Sequence, residues 1–130
     1  MIETICGVDV SKAWLDGWVE VGDYRRFAND EAGIAALADW AGRHGAGLVV
    51  MESSGGIEQD AFLALWQAGM PCALTNPKAV RRFAEAMGRL EKTDRIDAEV
   101  IARDATARRL QPTPPPCKEQ QRLTALAVRL

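Results

Sequence analysis

Thr4-Ile5-Cys6-Gly7-Val8-Asp9-Val10 is a short, almost continuously apolar run interrupted by a single acid. Runs of this length and composition form strands buried on both faces of a largely parallel sheet. A carboxylate in such a strand is costly unless the strand is leaving the core there or a cation meets it. A second run, Leu48-Val49-Val50-Met51-Glu52, has the same character and ends in an acid before Ser53-Ser54-Gly55-Gly56. In open α/β sheets the functional crevice lies outside the carboxyl ends of the strands, so Asp9 and Glu52 are expected to converge there.

A third acidic stretch, Lys92-Thr93-Asp94-Arg95-Ile96-Asp97, reads as a helix start. Thr93 suits the N-cap, and Asp94 then occupies the first turn, where the helix dipole favours negative charge. Asp97 shares its face and lies at the edge of the apolar stripe Ile96, Val100 and Ile101, where an unsatisfied carboxylate is costly. A helix packed beside the two strand ends adds both acids to the crevice. Four carboxylates together need a counter-charge. Hard oxygen ligands suit Mg²⁺ or Mn²⁺, and two such ions about 3.5 to 4 Å apart stabilise the attacking and leaving oxygens of a phosphodiester displacement.

The segments around these stretches supply the rest of the fold. Ala13 to Val21, with Trp14, Trp18, Val19 and Val21, reads as a second strand; Gly22-Asp23 is a hairpin signal, and Tyr24 to Ala28 a third strand. Asn29 or Asp30 can cap a helix to about Arg43, with Ile34, Leu37, Ala38, Trp40 and Ala41 inward. A helix from about Glu58 to Ala68 and a short strand from Pro71 to Thr75 follow Glu52. Asn76-Pro77 then starts a helix carrying Val80, Phe83, Ala84 and Met87 on its inner side. Lys78, Arg81, Arg82 and Arg89 fall on its outer side and are candidate contacts for a nucleic-acid backbone, as are Lys12 and Lys92. Gly88 to Glu91 separates this helix from the acidic one, which is expected to run to about Arg109.

The domain is expected to span residues 1–111, followed by a Pro-rich linker over 112–117. Leu123, Leu126 and Leu130 then begin a helical or coiled-coil stripe over 118–130 that stops with the chain. A length of 130 residues with 48% hydrophobic and 26% charged content fits a soluble globular domain. No run approaches membrane-spanning length and no secretory signal precedes the first strand, so a cytoplasmic, nucleoid-associated protein without membrane contact is expected. Cys6, Cys72 and Cys117 are widely separated and His44 is the sole histidine, which argues against zinc and for reduced cysteines. The formal charge of −2 hides an asymmetry: residues 1–70 hold 4 Lys/Arg against 11 Asp/Glu, and residues 71–130 hold 12 against 7. Basic charge gathered in one half is a hint of a polyanionic partner.

The order β-β-β-α-β-α-β-α is that of the ribonuclease H-like (RuvC-like) α/β fold, a five-stranded mixed sheet with flanking helices and the first strand central beside the fourth. Within it, Gly7-Val8-Asp9-Val10-Ser11-Lys12, Met51-Glu52-Ser53-Ser54-Gly55, Asn76-Pro77 and Lys92-Thr93-Asp94-Arg95-Ile96-Asp97-Ala98, taken together, resemble the N-terminal catalytic domain of the DEDD transposases of the insertion sequence 110 family. The resemblance spans residues 4–110. It implies a metal-binding catalytic tetrad of Asp9, Glu52, Asp94 and Asp97 with two Mg²⁺ or Mn²⁺ ions. It also implies RNA-guided DNA recombination, in which a guide RNA pairs with donor and target DNA, by a homo-oligomer, dimer or tetramer. Family members carry the nucleophilic serine in a further C-terminal domain, so Ser11, Ser53 and Ser54 do not take that role. The isolated fragment is expected not to complete recombination.

Other readings separate on particular residues. An actin-like ATPase follows its first-strand aspartate with a glycine-rich phosphate turn, and Val10-Ser11-Lys12 is not one. A proofreading exonuclease has Asp-x-Glu in that strand, and Asp9-Val10-Ser11 lacks the second acid. A RuvC-like junction nuclease and a non-catalytic RNA-binding, oligomerising module with an acidic metal site both stay open.

Overall fold

The computed structural model describes residues 4–20, 22–88 and 93–115. Leu123, Leu126, Leu130, Cys117, Arg89 and Lys92, and the helical stripe expected over 118–130, lie outside the described residues. The chain forms β1 (Thr4–Val10), β2 (Trp14–Val19) and β3 (Tyr24–Ala28), then α1 (Glu31–Arg43), β4 (Ala46–Glu52), α2 (Gln59–Gln67), β5 (Cys72–Thr75), α3 (Pro77–Ala86) and α4 (Asp94–Arg108). The sheet order is β3-β2-β1-β4-β5. The first three strands are an antiparallel meander, and β4 and β5 are added in parallel, so β1 is central beside β4 as expected.

Local chemistry sets the helix ends. Asp30, rather than Asn29, caps α1, accepting from Gly33 N–H at 2.7 Å. Asn29 turns back and donates from Nδ2 to the Ser11 carbonyl at 2.8 Å, tying the end of β3 to the β1–β2 turn. Asn76 accepts from Lys78 N–H at 2.8 Å with Pro77 in the first helical position. Thr93 accepts from Ile96 N–H at 3.1 Å, which makes Asp94 the first residue of α4. α4 ends at Arg108, one residue earlier than expected, because Arg109 adopts a left-handed conformation (φ 52°) that closes the helix.

Each face of the sheet buries its own core. Cys6, Val8, Leu15, Val19, Phe27, Val49 and Met51 face α1 and α2, where they meet Leu37, Trp40, Phe62 and Leu65. Ile5, Leu48, Val50 and Ala73 face the other way, against Val80 of α3 and Val100, Ile101 and Ala105 of α4. Met87, expected inside, is 40% exposed: α3 ends at Ala86, and Met87 is its cap. Gly7 is where α4 comes closest. A Cβ there would collide with the Ala98 carbonyl and stand 2.6 Å from Ala102 N, so only glycine lets the helix down onto β1. Thr113, in the Pro-rich segment, donates N–H to the Cys72 carbonyl at 2.8 Å and accepts from Leu74 N–H at 3.0 Å, covering the β5 edge.

Candidate functional site

Side chains alternate across a strand, so Ile5 and Gly7 place Asp9 on the α4 face of β1, and Leu48 and Val50 place Glu52 on the same face of β4. The last registered pair of the two parallel strands is Val8 beside Met51, and Asp9 and Glu52 are the next residue of each. Both are half-buried. The register extends on either side. Asp9 stands opposite Asp16 on β2, Asp16 opposite Arg26 on β3, and Glu52 opposite Thr75 on β5. One row of side chains on the α4 face, Arg26, Asp16, Asp9, Glu52, Thr75, therefore crosses the whole sheet.

Asp97 lies in the first turns of α4, half-buried, next to the Ala98 that touches Gly7 two residues before Asp9. Asp94 heads the same helix, and its side chain lies outside the described residues. Among the described residues, no three His, Cys, Asp or Glu side chains form a group that could hold a metal ion. The fold thus brings Asp9 and Glu52 together and sets Asp97 at the helix turn above β1. The donor set is of carboxylate oxygens, with no thiolate or imidazole: Cys6 and Cys72 are buried, and His44 caps α1. That composition fits a hard divalent cation such as Mg²⁺ or Mn²⁺.

Several residues of the site carried no clear sign in the sequence. Asp16 is 1% exposed, and its carboxylate accepts from the Tyr24 hydroxyl and from Arg26 Nε at 2.9 Å and Nη2 at 3.3 Å. An acid between Trp14 and Trp18 at alternating positions was the available signal. At the other end of the row, Arg108 donates from Nη2 to Thr75 Oγ1 at 2.5 Å and to buried Asp104 at 2.7 Å. Each end of the carboxylate row therefore has an arginine anchored by a buried aspartate. Glu58 shapes the loop after Glu52: its Oε1 accepts from Ser54 N–H at 2.9 Å and Gly56 N–H at 3.2 Å. Burial pushes the Glu58 carboxyl up, but the N–H groups of Ser54, Glu58 itself and Gly56 and the Gln59 amide outweigh it and hold the group below its ordinary range.

The candidate cations are more dispersed. Lys78, Arg81 and Arg82 are exposed on α3, whose inner residue Val80 packs in the same cluster as α4. Lys12 is exposed in the β1–β2 turn and lines a cavity with Ile34 of α1 and Ala64 of α2, on the sheet face opposite α4. Burial raises the thiols of Cys6 and Cys72 to about 12, which leaves them protonated and inert as nucleophiles or metal ligands.

T. thermophilus RuvC, solved in complex with Holliday junction substrate, superposes with a TM-score of 0.60 at 15% identity, over 85% of this chain and 99% of that one. The likeness establishes a ribonuclease H-like fold. No curated protein matches in sequence. The sequence profile of the DEDD transposases of insertion sequence 110, described as a transposase, matches residues 6–129. The chain belongs to that family, and it is a DNA transposase or recombinase on a ribonuclease H-like fold.

Proposed function

We propose that Asp9, Glu52, Asp94 and Asp97 act together as the metal-binding catalytic tetrad of a Mg²⁺- or Mn²⁺-dependent, RNA-guided DNA recombinase. The observation that carries this reading is the shared row and face of Asp9 and Glu52 at the carboxyl ends of adjacent parallel strands. Two rigid strand ends fix two ligands, and Asp94 and Asp97 complete the set from the helix whose first turns stand over β1. Asp9, Glu52, Asp94 and Asp97 would hold the divalent ions, which would supply Lewis-acid stabilisation to the oxygens of a phosphodiester. The protein's own part is to hold the four carboxylates in place and to bring the nucleic-acid backbone to them. Lys78, Arg81 and Arg82 of α3 give backbone attraction beside α4, with Arg89 and Lys92 assigned the same role, and Lys12 meets the backbone only where it passes the β1–β2 turn to the other face. The strand paired with the DNA is a guide RNA, and the working protein is a homo-oligomer.

Asp9→Asn and Glu52→Gln test this. Excess Mg²⁺ or Mn²⁺ is expected to raise the melting temperature of the parent chain in a concentration-dependent way, because a ligand that binds only the folded state stabilises it. Either substitution should remove that rise, and in the full transposase each should lower DNA strand cleavage by about a thousandfold while nucleic-acid binding persists. A metal-dependent rise that survives in both variants would sink the tetrad. Cleavage unaffected by either would do the same.

A further inference from the structure

Trp14 stands out from the other three tryptophans of the chain. It is 43% exposed, whereas Trp18 is 3% and Trp40 8% exposed and Trp66 is half-buried with its Nε1–H donating to the Thr113 carbonyl. Trp14 and Trp18 share the α4 face of β2 by alternation, yet only Trp18 is covered by Ala98 and Ala102. Part of the Trp14 ring is therefore open to solvent and within reach of a ligand.

The surroundings of Trp14 suit a particular ligand. The Arg26 guanidinium lies over the Trp14 ring, 5.1 Å from its centroid. Arg26 is held there by the bidentate contact of its Nε and Nη2 edge with buried Asp16, while its side chain stays 40% exposed. The Tyr24 hydroxyl also donates to Asp16, and Arg95, from the first turn of α4, lies over the Tyr24 ring at 5.8 Å. Exposed cations and aromatic rings thus alternate from Trp14 to the head of α4, along the same face that carries Asp9. Trp14 is two residues from Asp16, the direct cross-strand partner of Asp9, and follows the Ser11 turn that ends β1. Such interleaving is how proteins hold single-stranded nucleic acid: every base has a π-face to stack on an aromatic ring, and fixed cations take the adjoining phosphate.

We infer that Trp14, with Arg26 fixed beside it by Asp16, forms a stacking site for an unpaired nucleotide next to the Asp9–Glu52 crevice. Trp14 takes the base and Arg26 the phosphate. The inference rests on the nucleic-acid reading of that crevice and not on metal binding there. Its ligand is an unpaired nucleotide beside the crevice, contributed by the DNA strand or by the guide RNA.

Anisotropy titrations of labelled single-stranded DNA, single-stranded RNA of the same sequence, and the corresponding duplex, against the parent chain, Trp14→Leu and Trp14→Phe, test the site. Running them also in an Asp9→Asn background removes any dependence on bound metal. Trp14→Leu is expected to weaken single-strand binding about tenfold and to leave duplex binding unchanged, and Trp14→Phe, which keeps a ring, should recover most of the loss. The Trp14 contribution to the fluorescence should be quenched by the same strands, and the strand type with the larger Trp14→Leu effect identifies the source of the nucleotide. Equal losses on single strand and duplex, or no loss on any strand, overturn the inference. A tenfold loss in both backgrounds, together with an unaltered metal response in Asp9→Asn, would overturn the tetrad and leave the stacking site standing.

Discussion

The face of the sheet under α1 and α2 is packed throughout with large apolar side chains, whereas the face under α4 joins a branched aliphatic cluster to a patch of glycine and alanine that continues into a row of charges. On the first face Phe62, Leu15, Leu37, Met51 and Leu65 are fully buried. On the second, Ile5, Leu48, Val50, Val100 and Ile101 form a branched aliphatic cluster, and where α4 crosses β1 Gly7 meets its backbone directly beside Ala98 and Ala102. The difference separates two tasks. Bulky side chains hold a helix away from the sheet and supply most of the burial, whereas glycine and alanine let a helix descend until groups on its first turn share space with the strand ends. The polar row survives on the second face because buried Asp16 within it, and buried Asp104 of α4 at its far end, are each satisfied by an arginine.

One substitution on each face tests that division. Gly7→Ala places a methyl against the Ala98 carbonyl and Ala102 N, and because the obstacle is backbone it cannot rotate away. A loss of about 3 kcal/mol is expected, measured by urea unfolding. Leu37→Ala, fully buried under α1, should cost about the same through its cavity. Their footprints should differ. Hydrogen exchange in Gly7→Ala should show lost protection over α4 with α1 retained, and Leu37→Ala the reverse. A neutral Gly7→Ala, or identical exchange patterns, would mean that the two faces are one cooperative packing unit with no special approach at Gly7.

Much of this arrangement was legible in the sequence because it depends on local signals. The apolar runs ending in Asp9 and Glu52, the Thr93 cap and the Asn76-Pro77 start each need only a few neighbouring residues to be read, and each lies where expected. What was hidden depends on distant partners. Asp16 reads as an ordinary polar strand position until Tyr24 and Arg26, eight and ten residues on, turn back over it. Asp104 and Arg108 read as a solvated i,i+4 pair, and only the contact with Thr75, 33 residues away, shows that the pair closes the end of the carboxylate row. Trp14 and Trp18 are equivalent by alternation, and the path of α4 alone decides that one is core and the other surface. Met87 was misread because helical periodicity does not say where α3 stops.

A smaller effect is expected where the two faces meet, in the loop that follows Glu52. Glu58→Ala removes the acceptor for the Ser54 and Gly56 N–H groups and should cost about 1.5 kcal/mol, the net scale of hydrogen bonds to a charged acceptor whose donors lie in an exposed loop. Glu58→Gln keeps one acceptor oxygen and should cost less. The folded-state pKa of Glu58 is lowered, so its contribution is present above the ordinary value of 4.5 and is lost as pH falls through the folded value. The difference in stability between parent and Glu58→Gln should therefore shrink on acidification below pH 4.5, and a difference constant from pH 6 into that range would remove Glu58 as the group that holds the loop.

The smallest expected effect belongs to the face under α1 and concerns His44. Its ring caps α1, with Nδ1 2.9 Å from the Trp40 carbonyl and Nε2 2.7 Å from Asp23 in the β2–β3 turn. It also leans on the Trp40 ring, with centroids 4.8 Å apart. Both partners are acceptors, so both nitrogens are satisfied together only when the imidazole is doubly protonated. The Trp40 carbonyl first, and then the Asp23 carboxylate, accordingly raise its pKa above the ordinary 6.5. Because the folded value is the higher one, the stabilisation is complete below the unfolded pKa and is lost as pH rises through the folded pKa. Thermal melts from pH 5.5 to 8.5 should show a slight decline in melting temperature across that window, absent in His44→Ala and in Asp23→Asn reduced but still visible, since the Trp40 carbonyl contributes more. Hydrogen exchange should place the change at the C-terminal turn of α1 and leave α4 untouched. A decline of the same size in His44→Ala would assign the titration to another group, and a response in α4 would show that the two faces communicate through the strands between them.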